Sequence, residues 1–232
     1  MKIAIMQPYI FPYIGYFQLI NAVDKFIVYD DVSFINKGWI NRNKILVNGQ
    51  ENTFTIPLIE ASQNKLINTI AIQKKELWLP KLLKTIEQSY KKSPQFEEIF
   101  PIIQSIFQSE YSTINQLIIE STKQICNYLA IKTQIVDSSC LYNNQHLKAQ
   151  ERILDICKQE NCTEYINPIG GIELYNKNDF FEKDIQLYFL KTKNIEYQQF
   201  KNNFVPYLSI LDVLMFNSKT EIETLLNEYE LL

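Results

Sequence analysis

Two adjacent carboxylates, Asp30 and Asp31, close the apolar run Lys25 to Tyr29, which predicts a buried strand. A carboxylate pair at a strand end can take or orient a proton. Its plain alternative is solvation, with one of the two capping the next turn. His146, the single histidine, is the third candidate for proton transfer. Arg42 stands in a polar loop with Trp39 and Asn43. Its planar fork suits a phosphate or carboxylate, while Trp39 could equally anchor a surface loop. Gln7, Tyr9, Tyr13, Gly15 and Tyr16 follow the first apolar run, and Asn167, Gly170 and Gly171 follow a later one. Paired glycines permit unusual torsions, so this loop reads either as an anion nest or as a tight turn. Arg152 is the only other arginine.

These side chains can act together only if the strand ends converge. Lys2 to Met6 predicts a strand, and Pro8 and Pro12 force a loop after it. Gly15 to Val23 carries Phe17, Ile20 and Val23 at helical spacing. With Lys25 to Tyr29 this makes a βαβ crossover, whose strands are parallel. Ligands of open α/β sheets bind outside the carboxyl ends of the strands, where Gln7, Asp30 and Asp31 fall. A helix starting near Gly15 would offer free N–H groups to an anion there.

Farther along, Asn48-Gly49 predicts a hairpin between 44–50 and 52–58. A β-branched stretch at 66–72 predicts another strand. Residues 76–130 carry three apolar stripes at helical spacing, with Pro101 a possible kink and Ser112 or Thr113 an N-cap. Strands are expected at 133–136, 164–166, 186–190 and 196–200, and a helix at 147–158. A helix opens in 206–216, with Ser209 as N-cap and Asp212 as a capping or catalytic residue. Thr220 to Tyr229 predicts the closing helix. The expected fold is α/β, a Rossmann-like, mostly parallel sheet with a helical insertion. It divides as an N-terminal half over 1–75, the insertion over 76–130 and a C-terminal half over 131–232.

The 232 residues suffice for a full core. A net charge of −3 argues against broad nucleic-acid binding. No apolar run is long enough to span a membrane, and the start has no signal-peptide pattern, so a soluble cytoplasmic protein is expected. Four cysteines without a CxxC pair, and one histidine, give no metal-ligand spacing. Cys126 and Cys157 read as buried small hydrophobes.

MQPYIFPYIGYFQLI, VYDDV, KGWINRNKI, YINPIGGIELY and LSILDVLMFN together resemble the WbqC-like family over nearly the whole chain. That family is associated with bacterial O-antigen and capsule gene clusters and with transfer of glycine onto an amino sugar. The resemblance therefore implies a transferase or ligase joining a glycine-type acyl group to the amine of a nucleotide-linked amino sugar. The donor would be glycine activated with ATP and magnesium, or glycyl-tRNA. Asp30 or Asp31 would act on the amine, Arg42 on phosphates, and backbone N–H groups at Gly170 and Gly171 on an oxyanion. The alternative is a non-catalytic protein that binds a nucleotide sugar or a partner enzyme of the same pathway. Tyr13-Ile14-Gly15-Tyr16 also resembles, more weakly, the HIGH motif of nucleotidyltransferase-like folds, with tyrosine at both histidine positions. A tyrosine hydroxyl can donate to a phosphate but carries no positive charge.

Overall fold

The computed structural model describes residues 1–201 and 203–232. Its centre is a six-stranded sheet in the order β5-β2-β1-β6-β7-β8. The strands are β1 (Lys2–Met6), β2 (Lys25–Val28), β5 (Gln134–Val136), β6 (Glu164–Pro168), β7 (Gln186–Thr192) and β8 (Tyr229–Leu231). All neighbours pair in parallel except β7 and β8, with Ile3 opposite Lys25 and Met6 opposite Val28 in the first pair. The architecture is the Rossmann-like α/β sheet that the sequence predicts. Chain order reverses between β1 and β6, the kind of switch point beside which open α/β sheets bind ligands.

Both faces of the sheet are covered because the strands alternate apolar side chains front and back. Ala4, Phe26 and Val28 pack with α1 (Ile14–Asn21) and with the helical layer α2 (Leu79–Tyr90), α3 (Phe96–Gln108) and α4 (Ile114–Tyr128). Ile3, Ile5 and Ile27 pack on the opposite face with Ile153, Ile156 and Cys157 of α5 (Ala149–Gln159), and with Phe180 of α6 (Lys177–Phe181). Thr113 and Gln116 form a reciprocal capping box at the start of α4. Pro101 sits inside α3, which runs through it unbroken. Arg42–Val47 (β3) and Gln50–Thr55 (β4) form a separate hairpin around Asn48-Gly49. Cys126, Cys157 and Cys162 are buried, and Cys140 is exposed. No helix among the described residues is long and apolar enough to cross a membrane.

Four local expectations are corrected. Residues 66–72 form a 310 turn at Ile67–Thr69 flanked by single bridges, because Ile67 and Ile70 both turn into the core. Residues 196–200 form no strand. The Gln199 side chain instead bonds Val205 and Asp212, and Phe200 adopts a left-handed backbone. The closing helix α8 (Lys219–Leu225) is shorter than predicted, because the next residues pair with β7 as β8. Asp212 stands at the third position of α7 (Ile210–Phe216), but its carboxylate turns inward. There it accepts from Tyr90 at 2.9 Å, Tyr197 at 2.7 Å and Gln199 at 2.6 Å, tying α2, α7 and the loop after β7.

Candidate functional site

Asp30 and Asp31 follow the carboxyl end of β2 and are 1 % and 5 % exposed. Buried carboxylates require partners, and each of these has its own. Asp30 Oδ1 accepts from Ser138 Oγ at 2.8 Å, from the Ser139 backbone N–H at 3.2 Å and from Ser139 Oγ at 3.4 Å. Asp30 Oδ2 accepts from Asn115 Nδ2 at 2.7 Å. Asp31 is gripped by Arg152 Nη2, at 2.7 and 2.6 Å from its two oxygens, and also accepts from the Ser139 hydroxyl. Asn115 is the second residue of α4 and Arg152 the fourth of α5, while the serines lie just past β5. Four elements therefore meet around one dipeptide.

Arg152 is itself fixed. Its Nε donates to Asn144 Oδ1 at 2.9 Å, and its guanidinium lies 4.8 Å from the centre of the Tyr29 ring. The two carboxyls consequently part in acidity. Burial pushes Asp30 above the ordinary carboxylate range, against the Ser138 and Ser139 hydrogen bonds. Burial also acts on Asp31, but there the Arg152 and Ser139 contacts outweigh it and hold the group below that range. Neighbouring groups driven apart in this way suit acid–base work, with the raised one as the proton carrier.

The exposed Cys140 brings its sulfur within 4.8 Å of an oxygen of each carboxylate. Asn68 crosses the same place: its backbone N–H donates to the Asp30 carbonyl at 3.1 Å, and its Nδ2 lies 3.4 Å from Cys140 Sγ.

Along the same edge of the sheet, a cavity of about 270 Å³ is ringed by Tyr9, Pro12, Tyr13, Trp39, Asn43 and Tyr207. A second, of about 550 Å³, shares Tyr13 and Tyr207 and reaches Thr192 at the end of β7. Tyr207 is 82 % exposed and holds a φ of 57°, an unusual conformation for a bulky residue. A larger cavity of about 700 Å³, between Lys92 and α8, shares Glu196 and Tyr197 with the second, and neither carboxylate lines any of the three.

Other expected site residues are distributed as follows. Gln7 directly follows β1, with its Oε1 buried and unpartnered. Tyr16 was expected to face a ligand. It is buried against Tyr9, Phe17 and Phe26, and its hydroxyl donates to the Gln7 carbonyl at 2.9 Å. Tyr13 lies over Gly15, where a Cβ would collide with the ring, so the tyrosine covers the helix start expected to meet an anion. Arg42 turns Nε to the Gly38 carbonyl at 3.1 Å and Nη2 to the Lys37 carbonyl. That closes its own loop and corrects the picture of a fork open to phosphate. Trp39 remains exposed beside Arg42, 5.7 Å from ring centre to guanidinium. Asn43 is buried and bonds the Ile10 and Phe11 carbonyls at 3.0 and 2.9 Å, fastening the proline loop. His146 is exposed and enters none of the hydrogen bonds around Asp30 and Asp31. Asn167 accepts from the Tyr165 hydroxyl at 3.2 Å. Gly170 and Gly171 open a 310 turn, Ile169–Leu174, with neither in the left-handed region, so they form no nest of alternating hand. Gly170 borders open space, and Gly171 lets the Asn167 amide approach.

Sequence reasoning passed over Ser138, Ser139, Asn144, Asn115 and Tyr207 and ranked Arg42 above Arg152. The available signals were the scarcity of arginine and the polar run Asp137-Ser138-Ser139 after a predicted strand.

No solved structure gives a significant match to this chain. An "Uncharacterized protein Rv1507c" of Mycobacterium tuberculosis is 29 % identical over 223 residues, covering 95 % of each chain. The model of the WbqC-like protein family matches residues 7–224, and the chain therefore belongs to that family.

Proposed function

We propose that this protein is an amide-forming transferase or ligase that moves a glycine-type acyl group onto the amine of a nucleotide-linked amino sugar. The observation that carries the reading is the buried pair of carboxylates with opposed acidities at the end of β2. An ammonium is not a nucleophile, so amide formation needs a base near the amine. Asp30, made a weaker acid by its burial and with the exposed Cys140 sulfur within 4.8 Å of its carboxylate, is that base. Asp31 is locked to Arg152 and keeps the local charge and geometry fixed.

The aromatic cavities between Tyr13, Trp39 and Tyr207 suit the ring portions of the substrate, since aromatic faces pack on flat apolar surfaces. Asp30 follows β2 and Thr192 ends β7, strands three places apart and so about 14 Å at normal strand spacing. A substrate of several linked units fits features so separated. The acyl donor must be activated, either by ATP with magnesium or as an ester such as glycyl-tRNA.

The test is incubation of the purified protein with a nucleotide-linked amino sugar and, in parallel, glycine with ATP and magnesium or glycyl-tRNA. A product heavier by one glycyl residue supports the reading. Tight binding of the nucleotide sugar without product from any donor would favour the non-catalytic alternative.

A further inference from the structure

Two buried acceptor atoms beside the end of β2 lack donors, and a third has room for one, in a pattern that describes a ligand. Asn115 is 6 % exposed, its Nδ2 is spent on Asp30 Oδ2 at 2.7 Å, and its Oδ1 is buried with no partner. Asn68 places its Nδ2 against Cys140 Sγ, and its Oδ1 is likewise buried and unpartnered. Asp30 Oδ2 accepts one hydrogen bond and has room for a second. Flipping the Asn115 amide would not remove the deficit, because it would set an oxygen against the carboxylate. The charge of Asp31 is met by Arg152, which leaves Asp30 as the uncompensated charge of the group. Buried acceptors without donors mark a missing partner, and here that partner donates only and is positive.

We propose that Asp30 Oδ2, Asn68 Oδ1 and Asn115 Oδ1 form a seat for a primary ammonium group, the amine of the acceptor substrate. This rests on the transferase reading above and specifies what that site recognises. A primary ammonium has three N–H donors and no acceptor, which matches three acceptors and one negative charge. Exposed Cys140 borders the group, its sulfur within 4.8 Å of an Asp30 oxygen and 3.4 Å from Asn68 Nδ2. An N-acetylated amine loses the charge and two of the three donors, and an alcohol loses the charge. The seat therefore selects free primary amines.

In the transfer the nitrogen loses two protons. The first passes to Asp30 Oδ2 and on to solvent, which frees the nitrogen lone pair while the two asparagines hold the remaining N–H bonds. The lone pair forms the C–N bond to the donor's acyl carbon. The bond from that carbon to the donor's oxygen breaks, its electron pair leaves with the oxygen, and the oxygen takes the second proton. Asn68 and Asn115 act as binding residues, with Asp30 as the proton acceptor.

The experiment is calorimetric titration of the purified chain at neutral pH with glucosamine, glucose and N-acetylglucosamine, repeated on Asn68→Leu and Asn115→Leu. Glucosamine is expected to bind at least tenfold more tightly than the other two, and each variant to lose at least tenfold in glucosamine affinity. Asn68→Ala, at a half-buried position, gives the same readout should Asn115→Leu fail to fold. Equal binding of glucosamine and glucose, no binding of glucosamine, or undiminished binding by the folded asparagine variants overturns the seat. So does stabilisation by magnesium or calcium chloride alone in place of the amine. Amine-selective binding with no product from any donor leaves the seat standing and removes the transferase. Product formation with an unchanged amine KM in the asparagine variants does the reverse.

Discussion

Arg152 Nη2 lies 2.6 Å from Asp31 Oδ2, a contact between residues 121 positions apart that joins α5 to the end of β2 inside the protein. Both side chains are buried, 3 % and 1 % exposed, so neither charge has water to fall back on. Breaking such a pair from one side strands the other charge, at a cost of about 3–5 kcal/mol.

Asp31→Asn and Arg152→Met should therefore each lower unfolding free energy by about 3–5 kcal/mol. Asp30→Asn should stay close to wild type, because it removes a buried, uncompensated charge, and the Asn115 amide can flip to accept from the new Nδ2. Denaturant titration of the three variants separates the roles. Equal losses in all three would remove the distinction between the two carboxylates.

The pH dependence of stability follows from the same pair. Asp31 is more acidic folded than unfolded, so its stabilisation is complete above the unfolded value and is lost as pH falls through the lower folded one. Asp30 has the opposite sign. Its raised folded value means that ionisation costs stability, beginning as pH rises through the unfolded value and complete above the folded one. Melting temperature against pH should fall less steeply in acid for Asp31→Asn than for wild type. In Asp30→Asn the decline on the rising side should vanish. Superimposable profiles would contradict both assignments.

Gly15 and Tyr13 make a coupled prediction. An alanine at 15 would push the Tyr13 ring, the free end of a side chain, into the cavity it lines, and leave the buried helix in place. Gly15→Ala should keep its fold and weaken substrate binding, as Tyr13→Ala should. Tyr16→Phe loses only the bond to the Gln7 carbonyl, about 0.5–1.5 kcal/mol of stability, with binding unchanged. A binding defect in Tyr16→Phe equal to that in Tyr13→Ala would contradict this division.

Tyr207 offers the cleanest test of the aromatic cavities, because its exposed ring contributes little to the core. Tyr207→Ala should preserve melting temperature and weaken nucleotide-sugar binding by about 0.5–1.5 kcal/mol, the scale of one aromatic contact. Unchanged affinity would place the ring portion of the substrate elsewhere.

Much of the architecture was legible because apolar periodicity and turn residues act locally. Ile3, Ile5, Phe17 and Ile20 announce strand and helix, and Asn48-Gly49 announces the hairpin. The misread segments are those where a distant partner decides. The closing strand exists because Leu231 meets Leu190, and residues 196–200 stay irregular because Gln199 is claimed by Asp212. The site followed the same rule. Asp30 and Asp31 stood out at a strand end, whereas Asn115 and Arg152 look like ordinary helix residues until the fold carries them across the sheet. Arg42 drew notice through its loop of Trp and Asn, but its fork serves the carbonyls of that loop.

The central claim is that Asp30 carries the amine's proton during amide formation, and one comparison bears on it directly. Product formed from a nucleotide-linked amino sugar and a glycyl donor would be followed by mass for wild type and Asp30→Asn, at matched folding. The account predicts a loss of turnover of about 10²–10⁴-fold in the variant, the usual contribution of a general base, with melting temperature held. Wild-type turnover by folded Asp30→Asn would contradict it.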